Sequence, residues 1–241
     1  MTLKAGISVR ELDSIAIVGA GRLGTALAAA LGAPSPLGRA ADGRGATTVL
    51  LAVPDAELAA AAAAIEPGPL VGHCSGATGL DVLSPHEAFS LHPLMTVPAG
   101  APRDVLEGAG CAVDGSTPRA LAVAEALAAR LGMRATHVTD EDRAAYHAAA
   151  SIASNFLVTL EGAAERLAAT AGVERAVLAP LVRAAVENWA ARGAEEALTG
   201  PIARGDDETV ARQRAAVAER TPDLLPLFDA CLLYTSDAAD E

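Results

Sequence analysis

Residues Ser14–Leu31 read SIAIVGAGRLGTALAAAL, and the fold is decided there. The apolar run Ile15-Ala16-Ile17-Val18 has the length and composition of a buried strand. It enters Gly19-Ala20-Gly21-Arg22-Leu23-Gly24, and a small-residue helical pattern follows at once. Gly19 permits a tight turn, Gly21 lets the backbone approach a phosphate, and Gly24 lets the helix pack close to the strand. Unpaired N–H groups at the positive end of the helix dipole would then hold a pyrophosphate. A GxGxxG string alone is a weak signal, but here the strand before it and the helix after it supply the context that gives it meaning. The spacing therefore predicts Gly19 to Gly24 as a dinucleotide cradle; the plainer reading is a glycine turn that only joins a strand to a helix.

The 241 residues suffice for one large or two small domains. Half of the chain is hydrophobic but only 2% is aromatic, so the core must be built from Ala, Val and Leu. The net charge of −12, with no basic face, argues against a nucleic-acid partner and fits a soluble cytoplasmic protein. Glu11 and Asp13 interrupt any leader-like segment, and no run of 18 strongly apolar residues predicts a membrane span. Cys74, Cys111 and Cys231 lack metal-ligand spacing and suit a reducing compartment; no metal site is expected. Lys4 is the only lysine, so a Gly-Lys-Ser/Thr phosphate loop is excluded, and Tyr146 has Ala150 where a Tyr-x-x-x-Lys pair needs lysine. Proton transfer must fall to His, Tyr, Ser, Asp, Glu or water.

After the first helix, Pro34 and Pro36 argue against a ladder strand, so the second strand of a dinucleotide fold is expected to be short or lost. Thr47–Val53, Leu70–Cys74, Phe89–His92 (stopped by Pro93), Gly110–Val113 and Ala135–Val138 read as strands. They alternate with helices, which predicts a parallel, doubly wound sheet over residues 13–138 behind an N-terminal tail of residues 1–12. At Thr139 the pattern becomes helical. A helix N-cap with acids in its first turn opens about 30 residues without proline, read as one long helix. An all-helical domain is expected over residues 139–230. Residues 231–241, CLLYTSDAADE, are read as foreign, because one reverse translation contains a transposon-end sequencing adapter; the other reading is a genuine polar tail.

Three further strings carry a resemblance: SLHPLMT at 90–96, RAAYHAAASIASNF at 143–156, and ALTGPIARGD at 197–206. With the glycine motif they make the chain resemble, over about residues 14–230, the Rossmann-like oxidoreductases that carry a C-terminal domain of unknown function 2520. That family is more distantly similar to prephenate dehydrogenases, pyrroline-carboxylate reductases and 6-phosphogluconate dehydrogenases. The resemblance implies an NADP-type cofactor, a helical dimerisation domain that forms a homodimer, and a site between the two domains. It implies no particular substrate.

Arg39 lies where such folds read the adenosine ribose, and an arginine there favours NADP(H) over NAD(H); otherwise it is a solvated surface residue. Val53-Pro54 and Ser75-Gly76 follow the carboxyl ends of strands, where ligands bind, and are expected beside the cofactor. Cys74 reads as a small buried filler and His73 as structural. His92-Pro93 resembles the His-Pro element of prephenate dehydrogenases, which implies that His92 orients substrate or donates a proton; the other reading is a strand-end histidine bonded to backbone. Arg143, His147, Ser151 and Asn155 recur every four residues and predict one polar helix face. In related dehydrogenases the corresponding helix carries a Lys and an Asn, which implies His147 as the proton donor and Asn155 as a substrate ligand. A buried polar network is the other reading of that face. Arg143 and Arg204 are expected to meet substrate; Arg204 suits a substrate carboxylate, or else lies in a turn with Asp206 as an N-cap. The resulting expectation is an NADP-dependent oxidoreductase acting on a small carbonyl or imine acid, with a non-catalytic NADP-binding sensor as the alternative.

Overall fold

A computed structural model describes Leu12, residues 14–38 and residues 41–239, with side chains given as far as residue 235. The chain divides into two compact units, Met1–Ile152 and Ala153–Glu241.

The first unit is built on six strands: β1 (Ile15–Val18), β2 (Thr48–Leu51), β3 (Leu70–His73), β4 (Ala88–Leu94), β5 (Gly110–Gly115) and β6 (Arg134–His137). They pair in sequence order, β1-β2-β3-β4-β5-β6. All pairs are parallel except β4–β5. Helices α1 (Arg22–Leu31), α2 (Leu58–Ala64) and α3 (Pro118–Arg130) make crossovers between parallel neighbours. The segment between β4 and β5 forms turns rather than a helix, so it returns the chain antiparallel where a wholly parallel sheet was expected. Strands β2 and β3 are buried along their whole length, as expected of strands covered on both faces. Apolar clusters on the two faces include Leu27, Leu50, Phe89 and Leu127 on one side and Val18, Val49, Leu58 and Val71 on the other.

Two proline expectations had different outcomes. Near Pro34 and Pro36 the second strand shrinks to one bridge, Val18 to Leu37, held by Leu37 N–H to Ile17 O at 2.7 Å and Gly19 N–H to Leu37 O at 3.0 Å. Pro93, by contrast, does not stop its strand: it lies within β4, opposite Cys111. Beyond Ser90, β4 pairs only with β5, and a strand with one neighbour can spare an N–H.

Helix α4 (Asp140–Ser151) closes the first unit. Thr139 occupies its N-cap position without a side-chain bond, while Asp140, Glu141 and Asp142 fill the first turn as expected. The predicted single long helix is helical through Ala169 but contains a π-helical segment, Ile152–Phe156, before α5 (Leu157–Ala169).

The second unit comprises α5, α6 (Arg175–Arg192, containing Pro180), α7 (Ala194–Ala197), α8 (Asp207–Arg220) and α9 (Leu225–Ala239). Arg166–Asp223 at 2.8 Å and Arg214–Asp229 at 2.7 Å tie its helices together. On α6, Val177, Leu181 and Trp189 are 67%, 68% and 57% exposed, an apolar stripe that this unit does not bury against itself. Helix α9 runs through the segment read as foreign.

Candidate active site

Because β1 to β4 are parallel, the turns after them all lie at one edge of the sheet. From β1 the chain first moves to Leu37 on one side and then to β2 on the other. That reversal makes the carboxyl end of β1 the switch point, where such sheets bind ligands. Gly19 has φ +110°, and a Cβ there would lie 2.4 Å from the Ala52 carbonyl oxygen, so the turn demands glycine. A Cβ on Gly24 would lie 1.9 Å from the Gly19 oxygen. A Cβ on Gly21 would meet nothing within 4 Å, leaving the backbone open on that side. Gly21 is the N-cap of α1 and no side chain caps the helix. Ala20, Gly21 and Arg22 are exposed, and Leu23 is half-buried. This start of α1, open and with free N–H groups, fits a phosphate. Val53, half-buried, and Pro54, exposed, follow β2 beside the glycine turn. Arg39 lies outside the described residues.

The turn after β3 is organised by its own polar groups. Ser75 is buried, and its hydroxyl donates to Asp55 Oδ2 at 2.7 Å and accepts from the Ala77 and Thr78 N–H groups at 3.1 and 2.9 Å. His73 Nδ1 accepts from Ser75 N–H at 3.2 Å, so Nε2 must carry the proton donated to Gly79 O, also at 3.2 Å. Burial lowers the His73 pKa and keeps that ring neutral. Cys74 is buried, and burial pushes its thiol up, as suits an inert filler.

Gly76 marks the convergence. A Cβ there would stand 2.7 Å from His92 Cε1, 2.9 Å from His92 Nε2 and 2.8 Å from His147 Cδ2. The two histidine rings are 6.2 Å apart, centre to centre. Alternation puts Ser90 and His92 on one face of β4, and register places Asp114 and Ala112 opposite them on β5. Helix α4 brings Arg143, Tyr146 and His147 together through their i, i+3 and i+4 spacing. His92 Nδ1 and the Tyr146 hydroxyl are 2.8 Å apart, and the rings meet edge-on at 5.6 Å.

Arg143, 2% exposed, fastens this helix. Its Nε donates to Asp140 Oδ1 at 3.0 Å, and its Nη2 donates to Ser90 Oγ at 3.0 Å while lying 3.6 Å from Asp114 Oδ2. Its Nη1 is buried without a partner. Desolvation, then the neighbouring His147 and Arg143, pull His92 down to about 4, so the ring is neutral near pH 7. Desolvation pushes Tyr146 up to about 12, keeping it a phenol.

The structure thus gathers Gly76, His92, His147 and Arg143 from the predicted set. The predicted helix stripe does not continue evenly. Ser151 is half-buried at the end of α4; Asn155 lies in the π-helical segment, exposed, in the second unit. A π turn holds more than 3.6 residues, which shifts every later side chain around the axis. Arg204 is exposed in the turn before α8, where Asp206 caps the helix by accepting from Thr209 N–H at 3.1 Å. Sequence reasoning missed Tyr146, Ser90, Asp114, Asp55 and Thr78. The signal for Tyr146 was its place between Arg143 and His147. Among the described residues no cluster of three or more His, Cys, Asp or Glu could hold a metal, and no helix is long and apolar enough to cross a membrane.

These features define a Rossmann-like protein, and the Rossmann-like domain family matches residues 35–98. The family described as Domain of unknown function (DUF2520) matches residues 109–235, more than half of the chain, and the protein belongs to it. That match takes in β5, α3 and β6 as well as the helices. None of the curated proteins matches the chain. Among solved structures it is similar to a Bacteroides fragilis protein provisionally titled an NADP oxidoreductase, at TM-score 0.79 and 20% identity over 94% of this chain and 99% of that one. It is similar to an Aspergillus terreus reductive aminase in complex with NADPH and ethyl levulinate, at TM-score 0.62 and 18% identity over 94% and 98%. It is also similar to an NADH-preferring ketol-acid reductoisomerase from an uncultured archaean, at TM-score 0.60 and 15% identity over 93% and 82%. At these identities the likeness is one of fold.

Proposed function

We propose that the protein is an NADP(H)-dependent oxidoreductase acting on a small carbonyl or imine acid. One observation carries this reading. The open, uncapped start of α1 and the His92–His147 pair around Gly76 stand at the same edge of one sheet. Solved structures of this fold include an NADP oxidoreductase and a reductive aminase in complex with NADPH, which supports a nicotinamide coenzyme. The chemistry that a nicotinamide coenzyme supplies when bound is hydride transfer.

The chain's own groups have separate tasks. The N–H groups of Gly21 to Gly24 bind the pyrophosphate, with Ala20 and Arg22 flanking it. Val53, Pro54 and the Ser75–Gly76 turn, braced by Asp55, wall the coenzyme. His92 orients the substrate as a neutral ring, and His147 holds and delivers the proton. Arg143 locks α4 to β4 and β5 and adds positive charge beneath the histidines. Ser151, Asn155 and Arg204 are assigned to substrate. Preference for NADP(H) over NAD(H) is assigned to Arg39. The exposed stripe on α6 supports a homodimer through the helical unit.

A second reading, a non-catalytic NADP-binding sensor, draws on Lys4 being the only lysine. NADPH fluorescence titration followed by stopped-flow oxidation with a panel of 2-oxo acids, with and without amines, separates the two. Binding with turnover supports the oxidoreductase, and His147→Ala then slows turnover far more than it weakens coenzyme binding. Binding without turnover favours the sensor. No binding at millimolar coenzyme by folded protein overturns both.

A further inference from the structure

We propose that Tyr146 is a positioning residue that fixes His92 as its Nε2–H tautomer, so that this site receives a hydrogen-bond acceptor, a carbonyl or carboxylate oxygen, over the Gly76 turn. The geometry leaves two ways to place the protons. Either the phenol donates to Nδ1 and the imidazole proton sits on Nε2, or Nδ1–H donates to the phenol oxygen and the phenol proton goes elsewhere. Among the described residues His92 is the only side chain hydrogen-bonded to Tyr146, so the second arrangement strands the phenol proton in a half-buried place.

The edge of the ring away from the phenol faces the Gly76 turn. A neutral His92 with its proton on Nε2 offers one N–H there, beside the His147 ring. Such a group polarises an oxygen by donation; it does not deprotonate a ligand. The proton of the proposed reaction is thereby left to His147. The acceptor assignment rests on the oxidoreductase reading, whereas the tautomer does not.

Full-length protein labelled with nitrogen-15 histidine reports the tautomer directly through long-range proton–nitrogen correlations. His92 is expected as Nε2–H at pH 7 in the wild type and as a mixture in Tyr146→Phe. The unreactive 2-oxo-acid analogue oxamate, titrated against the NADPH-loaded protein, is expected to lose about tenfold in affinity in Tyr146→Phe, the loss of one oriented hydrogen bond. An Nδ1–H signal for His92 in the wild type overturns the proposal, whatever becomes of the variant. So does a pure Nε2–H signal that survives in Tyr146→Phe. Retention of the Nε2–H form in a protein that binds no NADPH leaves the tautomer standing and overturns the coenzyme reading alone.

Discussion

Replacing Gly76 with alanine tests the packing of the site more directly than removing either histidine. Gly76 does not have a positive φ, so the backbone accepts alanine and the only cost is space. The added methyl would lie 2.7 to 2.9 Å from atoms of His92 and His147. Ordinary contact needs about 3.5 Å, so the rings must retreat by roughly 0.7 Å. His92 is held by Tyr146 at 2.8 Å on the side away from Gly76, and such a retreat drives Nδ1 into the hydroxyl and spoils the geometry of that bond. Overpacking costs about 1–3 kcal/mol and the lost bond about 1, so Gly76→Ala is expected to destabilise the first unit by about 2–4 kcal/mol. Urea unfolding followed by circular dichroism measures this. In the Tyr146→Phe background the same substitution should cost about 1 kcal/mol less, because the tether has already gone. A Gly76→Ala protein within about 0.5 kcal/mol of wild type would show that the two rings are not held as described.

Two further outcomes are expected. Gly24→Ala sets a methyl 1.9 Å from a backbone oxygen that cannot rotate away, so the variant should lose NADPH binding at millimolar coenzyme and about 3 kcal/mol or more of stability; wild-type affinity in an isothermal titration would refute the tight turn. Stability should also fall on acidification. His92 sits near 4 when folded and at 6.5 when free, so its contribution, roughly 3 kcal/mol, is whole above pH about 6.5 and is lost as the pH falls towards 4. His92→Asn should flatten that part of the pH–stability curve, and an unchanged slope would place the acid sensitivity elsewhere.

Strands β1 to β3 were legible because they are short, largely apolar runs ended by glycine or a polar turn. The glycine motif was legible because each position has a steric reason that the backbone now exhibits: Gly19 against Ala52, Gly24 against Gly19, Gly21 against nothing. Pro34 and Pro36 correctly announced a missing ladder. Pro93 misled, because the harm done by a proline depends on whether both sides of its strand are paired, and pairing is not local information. The polar stripe of α4 was visible as a period of four, and its break was not, because a π turn arises from hydrogen-bond register and leaves no mark in side-chain type. Nothing local marks Tyr146: Ala150 stands where a Tyr-x-x-x-Lys pair needs lysine, and the real partner, His92, is 54 positions away.

The stub at Leu37 bears on how this molecule behaves in a crowd. A sheet margin with a full row of unsatisfied amides invites another chain to add itself. Here the margin beside Val18 is covered by a single bridging residue, and Pro34 and Pro36 precede it with no amide hydrogen to offer. The same prolines that deny the sheet another strand make this border a poor template for aggregation.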